Sequence, residues 1–382
     1  MDLGSLDLWI LKQRNISHIS PLSNLLDQSH LPIGEIVAPL ARRGGEGGGR
    51  HPRSVNIVRI SRLRSVARLL VWPTNMSQPR AIVPGATYLL TRRVLRRHFL
   101  LRPDSAITRL VVYSLAVSAQ RYGVLVHALC VMSTHLHLVV TDTRGELPRF
   151  LQRFHRIVAL GAKILRAWEG PIWDHEATSV VHLSTRDALV EKIAYTLANP
   201  AIAGLVEHAH EWPGAKVLVR ELGCGTLRAR RPEIYFNPKN PEWTEEATVP
   251  ITLPPMIADS DAERFRREVT VQIDLHEKQA RATLKQQGLS FLGRARAGKI
   301  SPYKRATTIE PIRGLNPTFA VGRGRTDARN NAIAAMYAFR TAYRRSLEQW
   351  RAGVRDTIFP IGTWWMRVFH GVSVDRGELA EA

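Results

Sequence analysis

Two histidines one residue apart, His135 and His137 in the run VMSTHLHLVV, are the first residues whose types and spacing invite chemistry. The run reads as a β-strand, and in a strand the side chains at i and i+2 leave from the same face. A pair of imidazoles standing together over a sheet suits a divalent metal, because neutral ring nitrogen is a good ligand for such ions. Leu136, Leu138 and Val140 would then point the other way, into a core. The chain holds 14 histidines, so the same spacing also fits two ordinary half-buried strand residues, and a second group is needed to decide.

That group is sought in TRDALVEKIAYTLANP, which reads as a helix. Leu189, Ile193 and Leu197 recur every four residues and define its buried stripe. At about 100° per residue, Tyr195 and Asn199 lie on roughly the opposite side, one turn apart, with Lys192 beside them. A core tyrosine would sit within the stripe, so a phenol outside it is a candidate for function.

The elements that must position these groups follow a regular order. GATYLLTRRV reads as a strand, and SAITRLVVYSLAVSAQRYG as a helix that Gly123 ends. VLVHALCVM and HLHLVVTD are two strands meeting near Ser133 and Thr134. LPRFLQRFHRIVALGAKILRAW carries Phe150, Phe154, Val158 and Leu165 at helical spacing. ATSVVHLS is a fourth strand, and Ser184 is the expected N-cap of the Tyr195 helix, with Asp187 as its capping-box partner. The order β-α-β-β-α-β followed by a helix is that of an α+β, ferredoxin-like split βαβ fold: an antiparallel sheet with helices on one face and the other left available. Both histidines belong on a central strand facing that free side.

Outside this block, residues 1 to 75, with ARRGGEGGGRHPR, read as a disordered N-terminal extension carrying one short basic helix, SVNIVRISRLRSVARLLVW. Met76 is the expected functional start. Residues 76 to 250 form the expected catalytic domain, with irregular structure over 205 to 255. Residues 251 to 382 form a basic helical C-terminal extension with two long helices, the second carrying Ile333, Met336, Tyr337, Tyr343, Leu347 and Trp350 near one side. The aromatic tail FPIGTWWMRVFHGV must pack on something.

Composition narrows the chemistry. The chain carries 54 Lys and Arg against 33 Asp and Glu over 382 residues, a formal charge of +21 that favours a polyanionic partner, nucleic acid before membrane. Cys130 and Cys224 are too few for a disulfide scaffold or a cysteine-rich zinc site, and no stretch matches a membrane span or secretory signal. A cytoplasmic protein without a membrane partner is expected. HExxH and phosphate-loop motifs are absent.

The pair VMSTHLHLVV and YTLANPAIAGLV, in this order, resembles the single-tyrosine HUH transposases, in particular the REP-associated tyrosine transposases, and PGATYLLTRR is similar to their first strand. The likeness spans about residues 80 to 215. It implies that His135, His137 and Asn199 bind a divalent cation, Mg²⁺ or Mn²⁺, and that Tyr195 attacks a phosphate of single-stranded or hairpin DNA to leave a 5′-phosphotyrosine and a free 3′-hydroxyl. Lys192 is the candidate for holding phenolate or phosphate charge, against a solvated helix lysine. Asp174, His175 and Glu176 in WDHEA are candidates for supporting the site, against plain surface charge. The chain departs from compact members of that family in residues 255 to 382, where Arg323, Arg325, Arg329, Arg340, Arg344 and Arg345 are candidates for DNA contact. The expected unit is a monomer or homodimer. The other functional reading is a domesticated relative that binds structured DNA or RNA without cutting it.

Overall fold

The computed structural model describes residues 78 to 307 and 317 to 375. The expectations for residues 1 to 75 and for Met76 lie outside them.

Strand β1 (Ala86–Arg93), helix α1 (Ser105–Tyr122), strands β2 (Val124–Val131) and β3 (His135–Asp142), helix α2 (Leu147–Arg166), strand β4 (Ser179–Leu183) and helix α3 (Arg186–Ile202) follow in the expected sequence. The strands lie in the order β2-β3-β1-β4, all antiparallel, which is the split βαβ arrangement. Alternation sorts the two faces of the sheet. Leu136, Leu138 and Val140 of β3 are buried with Phe150, Phe154 and Ile157 of α2 in the main core. Gly161 of α2 is needed where the helices meet, since a Cβ there would lie 2.5 Å from a methyl of Leu110 on α1. Asp104 caps α1 by accepting from the Ile107 amide at 3.0 Å, and Gly123 ends it in the left-handed conformation, as its position suggested.

Two features depart from expectation. Thr185, not Ser184, caps α3: its hydroxyl accepts from the Ala188 amide, while Ser184 donates to the Ala320 carbonyl and Asp187 pairs with Arg325. Both hydroxyls were available, and contact with residues far along the chain decides between them. The region taken as irregular contains an antiparallel ladder of β5 (Thr226–Arg230) and β6 (Glu246–Pro250). It rests on α1, which explains why α1 is buried almost all round, with eleven buried residues. Ala229, Ala247 and Val249 are the buried positions of the ladder, too small a hydrophobic signal to announce two strands.

Beyond residue 250, helices α4 (Ala262–Gln286) and α5 (Arg294–Ala297), strand β7 (Phe319–Ala320) and helices α6 (Thr326–Arg351) and α7 (Trp365–His370) follow. The two long helices match the sequence reading. Strand β7 joins the main sheet in parallel beside β4, with His182 opposite Phe319. Helix α4 packs along α3, where Phe265, Val269 and Ile273 share the core with Leu189, Ile193 and Leu197. The aromatic tail finds its partner on α6: Phe359, Met366 and Val372 form a small core against Tyr343, Leu347 and Trp350.

Candidate functional site

Antiparallel pairing of β1 and β3 sets Thr91 opposite His137 and Arg93 opposite His135, so these four side chains leave from one face. The two imidazole rings stand 4.8 Å apart, nearly perpendicular. Each is held at Nδ1 by a threonine: Thr91 Oγ1 lies 2.9 Å from His137 Nδ1, and Thr134 Oγ1 lies 3.0 Å from His135 Nδ1. A hydroxyl on one ring nitrogen holds the ring plane, the usual support for a histidine whose other nitrogen is a ligand.

Helix α3 crosses this same face. Asn199 Nδ2 is 3.2 Å from His137 Nε2, and the Tyr195 ring meets the His137 ring edge-on with centroids 5.4 Å apart. The buried stripe of Leu189, Ile193 and Leu197 is as expected. Away from that stripe, Asn199 is only 5% exposed and Tyr195 is half-buried. The physical reason is that α3 is a middle layer, with the sheet on one side and α4 on the other. Two imidazoles, a carboxamide and a phenol from distant parts of one chain are thus adjacent.

The donor set fits a divalent cation. Among the described residues no group of three or more His, Cys, Asp or Glu is placed to hold a metal, so the set rests on two imidazoles and the carboxamide. The carboxamide now presents its NH₂ to Nε2, and turning it over puts its oxygen in the same place. Nitrogen and oxygen ligands of this kind accept Mg²⁺ or Mn²⁺.

Lys192 is half-buried on α3, and its Nζ pairs with Glu191 at 2.8 Å. Thr196 donates to the Lys192 carbonyl, one turn along from Tyr195. Asp174 organises its own loop, accepting from the Arg96 and Glu176 amides and pairing with His175, while Arg92 donates to the carbonyls of Asp174 and Glu176. That loop borders the end of β1, where the Asp174 amide donates to the Arg93 carbonyl.

The sequence reading passed over Thr91, Thr134, Arg93 and one further residue, His276 of α4, whose ring meets that of Tyr195 edge-on with centroids 6.5 Å apart. Strand alternation places Thr91 and Arg93 on one face of β1, but only the register joins them to the histidines. His276 has no local signal at all. Burial foremost, then the positive charge of Arg323, holds its imidazole below the usual range, with Glu191 opposing and Lys192 adding to the effect.

The chain matches no protein-family model and no curated protein. Among solved structures it is similar to a REP-associated tyrosine transposase bound to a REP hairpin, at 18% identity over 38% of this chain and 84% of that one, with a TM-score of 0.32. It is also similar to a putative transposase from Deinococcus radiodurans R1, at 22% identity over 28% of this chain and 87% of that one, with a TM-score of 0.23.

Proposed function

We propose that this chain is a metal-dependent DNA transposase of the single-tyrosine kind, cutting and rejoining single-stranded or hairpin DNA through Tyr195. The observation that carries the reading is the meeting of Tyr195, His137 and Asn199, with the phenol ring 5.4 Å from an imidazole that also touches the carboxamide. A half-buried tyrosine that served only packing would not need to share its surroundings with a polar set of this composition.

In this reading His135, His137 and Asn199 hold Mg²⁺ or Mn²⁺, which supplies charge neutralisation at the scissile phosphate and orients it for in-line attack. Thr91 and Thr134 hold the planes of the two rings. The Tyr195 oxygen attacks phosphorus, and the 3′-oxygen of the preceding nucleotide leaves, giving a 5′-phosphotyrosine and a 3′-hydroxyl. Because one phosphoester replaces another, the reverse step joins a new strand without a nucleotide triphosphate. Lys192 steadies negative charge on the phenolate or the phosphate. Arg93, opposite His135, is placed to hold a neighbouring phosphate. The net charge of +21 favours DNA along the rest of the surface, and Arg323 and Arg329 are exposed for such contact. Among the described residues no helix is long and apolar enough to cross a membrane.

The test is incubation of the protein with Mn²⁺ and a library of single-stranded hairpin oligonucleotides. Wild type is expected to give a covalent protein–DNA band that Tyr195→Phe and chelation both abolish. Salt-sensitive binding without any adduct across the library would instead favour the non-cleaving binder.

A further inference from the structure

Helix α4 belongs to the C-terminal region, outside the split βαβ block, yet it contributes a side chain to the nucleophile's surroundings. The Tyr195 ring meets two imidazoles, that of His137 on the sheet with centroids 5.4 Å apart and that of His276 on α4 with centroids 6.5 Å apart, both in T-shaped geometry. His137 already has partners at both ring nitrogens, Thr91 and Asn199. A phenol that must lose its proton on attack therefore has a second imidazole at hand, one that is not a candidate metal ligand.

Resting on the transposase reading, we infer that His276 is the proton acceptor for Tyr195 in strand cleavage. The ring centroids are 6.5 Å apart, and a catalytic hydrogen bond that is long in the free enzyme tightens once substrate is bound. The groups facing His276 are Glu191, Lys192 and Tyr195 of α3 and Arg323 from the turn before α6. Glu277, its neighbour on α4, is turned away, accepting from His208 and the Ala209 amide. Burial together with the Arg323 and Lys192 charges keeps His276 neutral at neutral pH, the form in which an imidazole accepts a proton. In the step, the phenol O–H bond breaks and its proton passes to the imidazole while the phenol oxygen bonds to phosphorus. The bond from phosphorus to the 3′-oxygen breaks with its electron pair on oxygen. That oxygen takes up the proton from the imidazolium through solvent, so the reaction neither consumes nor releases a proton. Joining runs the same transfers in reverse.

The experiment measures single-turnover adduct formation with Mn²⁺ and a hairpin oligonucleotide from about pH 5 to about pH 9, for wild type, His276→Ala and His276→Gln. DNA binding is read separately by fluorescence anisotropy in the Tyr195→Phe background. Wild type should show a rate that rises with pH and levels off. Both variants should be about 100-fold slower at neutral pH, without the plateau and still rising at high pH, with part of the rate restored by added imidazole and DNA binding unchanged. If His276→Ala does not fold, His276→Gln, which keeps most of the side-chain volume, carries the comparison. A variant pH profile parallel to that of wild type, or full activity in His276→Gln, would reduce His276 to a packing residue and overturn the inference alone. Absence of any wild-type adduct would overturn the transposase reading and this inference with it.

Discussion

At the residue scale, His137 joins the parts of the candidate site: Nδ1 to Thr91, Nε2 to Asn199, and its ring face to Tyr195. One of these partners follows from β-pairing and two from a helix packed across the strands. Removing the hydroxyl that holds the His137 ring, as in Thr91→Val, leaves shape and apolar packing nearly intact. Mn²⁺ affinity, titrated by isothermal calorimetry, should fall about 10- to 100-fold while thermal stability stays close to that of wild type. An unchanged affinity would mean that Thr91 only fills space. The histidine pair was legible in the sequence because strand alternation is a local rule. Thr91 was not, because nothing local states which residue of β1 stands opposite which residue of β3.

At the element scale, α3 is the piece on which the site depends, since it carries Tyr195, Asn199 and Lys192. Its N-terminus is tied to the turn that follows β7: Thr185 donates to the Val321 carbonyl while capping the helix, and Asp187 pairs with Arg325. Gly322 makes that turn possible. Its φ is +79°, and a Cβ there would lie 2.7 Å from the Cβ of Asp187. Gly322→Ala should therefore cost about 1–3 kcal/mol in urea unfolding, through strain and overpacking together. Thr185→Ala should cost about 1 kcal/mol through the lost cap. If Ser184→Ala proved the costlier of the two hydroxyl deletions, the cap assignment would be wrong. The helix itself could be read from its four-residue stripe. Its place as a middle layer could not, because α4, whose His276 meets Tyr195, arrives much later in the chain.

At the scale of the whole molecule, a buried polar chain crosses the sheet at the end away from the histidine pair. His127 Nδ1 donates to the Thr252 carbonyl at 2.9 Å, Nε2 is 2.8 Å from Thr141 Oγ1, and Thr141 meets Thr87 at 2.7 Å. Burial pushes the His127 pKa down from 6.5 to about 4. The unfolded chain thus takes a proton near pH 6.5 that the folded protein refuses until about pH 4. The stability due to neutral His127 is complete above the upper value and declines as pH falls through that window, by on the order of 3 kcal/mol. Chemical denaturation at a series of pH values should show this slope, and His127→Gln should flatten it. A slope unchanged in the variant would assign the acid sensitivity to other histidines. The same long-range weave shows in β7 and α4, by which the region after residue 250 is packed into the sheet and helices that precede it.

The sequence by itself determined the split βαβ order, the face on which His135 and His137 stand, the helix that carries Tyr195 and Asn199, and a charge suited to DNA. These follow from periods of 2 and 3.6 residues and from composition, which are properties of short stretches and sums. Tertiary structure alone decided that Thr91 and Arg93 face the histidines, that Thr185 caps α3, that α4 lays His276 on the tyrosine, and that a small ladder covers α1. Each of these depends on register or on contact between residues far apart in the chain, and no local pattern carries that information.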